Sequence, residues 1–168
     1  MTRTAARELA IQLGFSVAAA GVEPGEALDD FFAPDHYASM GPEDILYTHK
    51  PGKQMDFIRR SVIGVSEKRA ELDDFIARYA KGWRTERIDR AAAAILRQAM
   101  YEMLYMPDIP TASSIDEAVE LAKGYEDADV VAFINGVLGS FARSELSASE
   151  AGADEPAAMP ETPQTQDE

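Results

Sequence analysis

The chain has 168 residues, 16 basic and 30 acidic side chains, and a formal net charge of −14. A chain of this length is expected to form one domain with a substantial core. It contains no cysteine, which excludes disulfides, thiolate metal sites and cysteine nucleophiles. No apolar run approaches the ~20 residues that a membrane span needs, and the first residues lack a signal-peptide core. We therefore expect a cytoplasmic protein.

Charge is unevenly distributed along the chain. Residues 145–168 carry seven acids, no base and three prolines, a composition that predicts a disordered tail after a folded domain at 1–144. Residues 50–97 carry twelve bases and seven acids, whereas the segments before and after them are acidic. The overall acidity argues against nucleic acid as a partner. The middle segment leaves two alternatives open, a solvated helix face or a surface that faces a polyanion.

The first third of the chain alternates between clear and weak helical patterns. Apolar residues at three- and four-residue spacing predict a helix over 4–20, and Pro24 suits the first turn of a short second helix. Residues 33–52 hold three prolines and two glycines without a clear period. They predict a loop-rich crossing, with a brief helical turn at 45–47.

The middle of the chain has the longest apolar pattern. It predicts one helix over roughly 53–81, with a seven-residue gap in the spacing and with Gly64 as a weak point. A second strong helix is predicted at about 86–105, after Trp83. Pro107 follows and ends it.

The last two predicted helices complete an all-α protein. Ser114 and Glu117 have the spacing of a capping box, which predicts a helix from there to Gly124. The final helix is expected to begin near Asp127 or Asp129, since both are good N-cap residues. No window shows the strict alternation of a strand. The expected fold is a compact bundle of six or seven helices.

Sequence motifs of enzymes are missing from the chain. It has no glycine motif that would cradle a phosphate and no serine-elbow motif. Its two histidines, His36 and His49, are thirteen residues apart in the loop-rich segment, which favours solvated surface over a metal site. We therefore expect no catalytic site, no metal and no cofactor.

Three stretches of the sequence follow the pattern of a known family. The first is ARELAIQLGF at 6–15, in which Phe15 stands where a tyrosine is usual. The second comprises AILR at 94–97, YEML at 101–104 and DIP at 108–110. The third comprises IDEAVELAK at 115–123 and FINGVL at 133–138. Over residues 3–141 the chain resembles the NusB family of bacterial transcription antitermination factors.

The resemblance implies a fold and a function. The family fold is a pair of small helical sub-bundles, and its members are not enzymes. They bind the boxA element of ribosomal RNA transcripts, a single-stranded RNA, together with NusE, a ribosomal small-subunit protein. The complex acts on RNA polymerase and suppresses premature termination. Some members self-associate, so a homodimer stays open.

The resemblance also implies a set of RNA-facing residues: Arg3, Arg7, Lys123, Tyr125, Asp129 and Phe133. The arginines would meet phosphates and the aromatics would contact bases. Each also has a purely structural alternative. Phe133 fits a helix core, Tyr125 a loop anchor, Lys123 a helix C-terminus and Asp129 an N-cap. With only two arginines at the N-terminus, an acidic interaction module that has lost RNA binding is the second hypothesis.

A second set of residues is implied for NusE. It consists of Arg97, Tyr101 and Glu102, on the helix that the family turns toward this partner. Arg97 and Glu102 are five positions apart, too far round a helix for an i, i+4 ion pair. The alternative is that either bridges two helices inside the protein.

Overall fold

Eight α-helices form the regular structure of the residues that the computed structural model describes, which are 1–41, 44–82 and 88–147. In chain order they are α1 (Arg3–Ala20), α2 (Pro24–Phe31), α3 (Pro34–Met40), α4 (Met55–Glu67), α5 (Arg69–Tyr79), α6 (Arg90–Tyr105), α7 (Thr111–Tyr125) and α8 (Ala128–Phe141). Short 3₁₀ turns lie at Ile45–Tyr47 and Gly52–Gln54. A π-helical turn at Ala142–Leu146 continues α8. The all-α prediction is confirmed, and none of the described helices is long and apolar enough to cross a membrane.

The helices bury two separate apolar clusters, which are the two expected sub-bundles. The first cluster joins α1, α2 and α4 through residues such as Leu9, Leu28 and Ile58. The second joins α5, α6, α7 and α8 and includes Leu96 and Phe141, both fully buried. The apolar stripes of α1, α2 and α4 form most of the first cluster and those of α5 to α8 form most of the second, while Tyr101 packs against both. Such stripes are why the three- and four-residue spacing located most of the helices.

The predicted helix over 53–81 is wrong as a single element. It divides at Lys68, whose φ of −97° and ψ of 9° interrupt the helical path between α4 and α5. The two halves serve different cores, because Ile58 belongs to the first cluster and Leu72 to the second. The seven-residue gap in the apolar spacing falls across this break. Together with α3, which forms within the segment predicted as loop-rich, the break raises the helix count to eight.

The predicted capping box at Ser114 is also wrong. Helix α7 begins three residues earlier, at Thr111 after Pro110, so Ser114 lies inside the first turns and is completely buried. The Glu117 carboxylate does not return to its own helix terminus. It instead accepts a hydrogen bond from the Thr4 hydroxyl and forms an ion pair with Arg7, and both of these residues lie on α1. The tertiary contact replaces the local one.

Helix starts elsewhere agree better with the sequence. Asp89 caps α6 by accepting from the Ala92 backbone at 2.8 Å. For α8 the N-cap is Asp127 and not Asp129, which lies in the first turn. Trp83 and residues 86–87 of the predicted helix over 86–105 fall outside the described residues, while Ile88 and Asp89 precede α6, so the helix begins at Arg90 and later than predicted.

Gly64 has no room for a side chain, because the Tyr101 ring lies against its Cα. A Cβ placed there would lie 2.0 Å from the Tyr101 hydroxyl oxygen and 2.1 Å from the ring carbon Cζ. Gly64 is buried, and the aromatic ring of α6 rests directly on the α4 backbone. The glycine therefore sets the distance between α4 and α6, at the place where the two clusters meet.

Replacing Gly64 with alanine is expected to destabilise the protein by up to about 2 kcal/mol. Overpacking against Tyr101 costs about 1–3 kcal/mol, while alanine recovers roughly 1 kcal/mol of helix propensity. In a Tyr101→Ala background the same substitution should instead stabilise, because the clash is gone. Urea unfolding of the four proteins measures this coupling, and an equal effect of Gly64→Ala in both backgrounds contradicts it.

Candidate nucleic-acid interface

Arg7, expected to meet RNA phosphates, lies inside the protein. Its guanidinium donates from Nε to Glu102 Oε1 at 2.7 Å and lies 3.2 Å from Glu117 Oε2. The side chains of Arg7 and Glu102 are 4% and 0% exposed. The pair therefore joins α1 to α6 and α7, and neither side chain is available to a phosphate or to a docked protein.

Two uncharged polar side chains extend this buried ion pair. Gln98 donates from Nε2 to Ser61 Oγ at 2.9 Å and to Glu102 Oε1 at 3.2 Å. Glu102 Oε2 has no hydrogen-bond partner among the described residues. A buried charge is stable when it is paired and hydrogen-bonded, so Glu102 depends on Arg7 and Gln98.

Arg3 is the exposed arginine of the N-terminus. Its Nε donates to Gln54 Oε1 at 2.7 Å, and its guanidinium lies 4.2 Å from the centre of the Phe57 ring. These contacts hold the side chain against α4 while leaving it open to solvent. Of the two predicted N-terminal phosphate contacts, only Arg3 is in a position to make one.

Tyr125 lies at the end of α7 beside an apolar groove that also involves α1 and α6. It is 48% exposed, and Phe15, 41% exposed, lines the same groove of about 330 Å³. The Tyr125 hydroxyl donates to Glu8 Oε1 and accepts from Gln12 Nε2 at 3.1 Å. Partial burial, and then the hydrogen bond to Glu8, raise the pKa of Tyr125. The anchored hydroxyl fixes the ring, and the exposed part of the ring offers a stacking surface.

Lys123 and Asp129 lie on the other side of the α7–α8 junction. Lys123 lines a groove between these helices together with Ala132 and Asn135, and its amine lies 2.9 Å from Glu120. Asp129 is exposed in the first turn of α8. At the same junction, burial and a hydrogen bond to Asp89 raise the pKa of Glu126 to about 7.

Phe133 belongs to the second apolar cluster and is only 9% exposed. What remains accessible forms part of a groove of about 480 Å³ between the end of α5 and α8, where Lys81, Ser140 and Ser144 also lie. The rest of the side chain is buried in the second cluster. Tyr125, Lys123 and Phe133 thus line three different grooves, and Arg3 lies apart from them against α4.

The residues expected to contact NusE are partly internal. Arg97 is 18% exposed and donates from Nε to Asp73 Oδ1 at 2.6 Å, which joins α6 to α5. Tyr101 is half-buried and lies over Gly64. Arg97 and the buried Glu102 both form ion pairs with neighbouring helices, which agrees with the alternative that they bridge helices inside the protein. Only Arg97 and Tyr101 keep accessible surface.

Two functional candidates were not identified from the sequence, Phe15 as a groove residue and Lys81 beside Phe133. Phe15 lies off the apolar stripe of α1, and an exposed aromatic on a helix whose core face is complete is a usable signal. Lys81 carries no comparable signal, since it is one of many bases in the middle segment. Among the described residues, no group of three acids or histidines could hold a metal ion.

Comparison with known proteins identifies the family. The family model described as the NusB family matches residues 4–143. The chain belongs to the NusB family. The match covers both apolar clusters, so the family assignment rests on the whole described fold and not on one motif.

Individual NusB relatives agree with this assignment. The chain is 40% identical to the transcription antitermination protein NusB of Symbiobacterium thermophilum over 92% of this chain and 97% of that protein. It is 42% identical to the protein of the same name from Carboxydothermus hydrogenoformans, over 83% and 91% of the two chains. The fold is similar to that of a solved structure of T. maritima NusB, with a TM-score of 0.68 and 24% identity over 90% of this chain and 98% of that chain. These relatives are named as antitermination proteins and not as enzymes.

Proposed function

We propose that the protein is a transcription antitermination factor that binds boxA RNA of ribosomal RNA transcripts together with NusE and acts on RNA polymerase elongation in the cytoplasm. The observation that carries the proposal is membership of the NusB family over residues 4–143. The relatives' printed name gives the process. The RNA and NusE come from the family resemblance.

In this proposal, different surfaces of the protein contact the RNA base, the RNA phosphates and NusE. Tyr125 and Phe15 flank an apolar groove that suits an unstacked base, the usual way in which single-stranded RNA is recognised. Arg3 and Lys123 supply positive charge, and exposed Asp129 lowers the affinity by repelling phosphates. Phe133 contributes a ring edge to the floor of its groove. We place NusE on the accessible parts of Arg97 and Tyr101.

The test is fluorescence anisotropy on boxA-like RNA, with and without NusE. We expect weak binding by the isolated protein, because few exposed cations face the RNA, and a clear gain when NusE is added. RNA with a scrambled boxA sequence is the control. No gain with NusE, or equal binding to the scrambled RNA, contradicts the proposal.

Substitution of Tyr125 tests the stacking surface. Tyr125→Ala is expected to weaken RNA binding by about 5- to 150-fold, the equivalent of ~1–3 kcal/mol for one stacked base. Tyr125→Phe keeps the ring and loses only the bonds to Glu8 and Gln12, so its affinity should stay near that of the wild type. Anisotropy titrations compare the two, and equal losses for both would show that the ring itself contributes nothing.

The second candidate function is an acidic interaction module of NusB fold that no longer binds RNA. The observation that favours it is the burial of Arg7 against Glu102, because this leaves Arg3 as the exposed arginine of the two at the start of α1. Pull-down from cells combined with RNA crosslinking separates the two functions. Recovery of NusE and polymerase without any crosslinked RNA would establish the second candidate.

A further inference from the structure

The last described turn of the chain is tied to the end of α5. Glu145 Oε1 accepts hydrogen bonds from Arg78 Nη1 at 2.6 Å and from the Tyr79 hydroxyl. The hydrogen bond from Tyr79, and then the charge of Arg78, lower the pKa of Glu145, so this carboxylate is ionised in the pair. Although the sequence assigned Glu145 to the tail, it is a fixed anchor of the fold.

This anchor lies at the rim of the groove that contains Phe133. Tyr79 and Lys81 line the groove from α5, and Ser140 and Ser144 line it from α8 and the turn that follows. The exposed Lys81 lines the groove, the exposed Arg143 directly precedes the lining residue Ser144, and the exposed Arg78 is paired with Glu145. Arg143 donates to Ser140 Oγ at 3.3 Å, which holds its guanidinium on the same side.

The 21 residues that follow, 148–168, start at this groove and carry six acids and no base. Fully extended, they reach up to about 70 Å, far more than the groove needs. Because the segment is covalently tethered beside the cations, its effective concentration there is in the millimolar range. Exposed ion pairs are individually weak, and the tether is what makes a set of them effective.

We propose that the acidic segment 148–168 docks on the groove formed by Lys81, Phe133, Ser140 and Ser144 and competes there with RNA. The occupant is thus a segment of this same chain, and the interaction is electrostatic and salt-sensitive. The docking itself is independent of any partner. The competition rests on the proposed function, since it requires that RNA reach the Phe133 groove.

Paramagnetic relaxation enhancement in the full-length protein tests the docking. The chain has no cysteine, so Thr162→Cys provides a unique site for a nitroxide label. We expect broadening of the Lys81, Phe133 and Ser140 amide signals at low salt, and its loss at high salt. The baseline is a neutral-tail protein in which the six acids are replaced by their amides: Glu150, Asp154, Glu155, Glu161, Asp167 and Glu168. Broadening no greater than in that protein, or spread evenly over the surface, overturns the proposal.

Charge reversal and RNA titration complete the experiment. Lys81→Glu should abolish the broadening, whereas Lys53→Glu, an exposed lysine in the first sub-bundle, should not; equal effects of both overturn the proposal. In anisotropy titrations on boxA-like RNA, the neutral-tail protein should bind about three- to tenfold more tightly at low salt and equally at high salt. A gain in RNA affinity without specific broadening means repulsion at a distance and overturns docking. Specific broadening in a protein that binds no RNA supports docking and refutes the proposed function alone.

Discussion

Replacing Arg7 with methionine is expected to lower the free energy of unfolding by about 3–5 kcal/mol, because it leaves the buried Glu102 carboxylate without its cation. Methionine keeps the length and apolar stem of the side chain, so the loss reports the charge and its hydrogen bonds. Urea unfolding followed by circular dichroism measures the change. Arg3→Met is the matched control, since Arg3 is exposed and its substitution should cost about 0.5 kcal/mol or less.

A double substitution separates the cost of an orphaned charge from the worth of the pair. In Arg7→Met/Glu102→Met both charges are removed, and apolar replacements of buried ion pairs are often neutral or stabilising. We expect the double variant to recover most of the stability that Arg7→Met loses. If Arg7→Met alone costs less than about 1 kcal/mol, the guanidinium is not what stabilises Glu102. If a stably folded Arg7→Met protein loses RNA affinity, Arg7 does contact phosphate.

Replacing Phe133 with alanine is expected to destabilise the protein by about 3–5 kcal/mol, the usual cost of truncating a core aromatic. The ring is 9% exposed and lies in the second cluster with Ile134 and Val137. Loss of RNA binding in Phe133→Ala would therefore mix unfolding with the loss of a contact. Thermal and urea unfolding must accompany any RNA measurement on this variant.

Phe133→Leu is the variant that distinguishes the two roles. It keeps an apolar side chain in the core, with an expected cost below about 1.5 kcal/mol. Because only 9% of Phe133 is accessible, we expect the RNA affinity of this variant to fall by less than about threefold, in contrast to Tyr125→Ala. A loss for Phe133→Leu as large as for Tyr125→Ala would show that RNA binding exposes the ring.

Helix periodicity predicted the fold well because the apolar stripe of most helices packs mainly into one of the two clusters. It failed at Lys68, where the apolar spacing continues across a break, since spacing along a chain does not say which core a residue joins. The capping box at Ser114 failed for a related reason. Glu117 satisfies Arg7 and Thr4, which are more than one hundred positions away in the chain.

The candidate site was harder to predict than the fold. Family resemblance selected positions, but it did not show that Arg7 is committed to Glu102, 95 positions away. Tyr125 kept its accessible ring, whereas Phe133 became a core residue with one edge in a groove. The motif does not show which of its residues are buried. Exposed Arg3 and buried Arg7 are four positions apart, and exposed Tyr125 and buried Phe133 are eight positions apart.

From the charge distribution we infer that stacking and a protein partner contribute more to RNA affinity than phosphate contacts do. The most direct test is the salt dependence of boxA RNA binding by the isolated full-length protein. Single-stranded RNA loses about 0.7 in the slope of log K against log salt for each neutralised phosphate. With two or three exposed cations at the RNA, we predict a slope of roughly −1 to −2. A slope steeper than about −4, which requires about six phosphate contacts, would show instead that phosphate contacts dominate the RNA affinity.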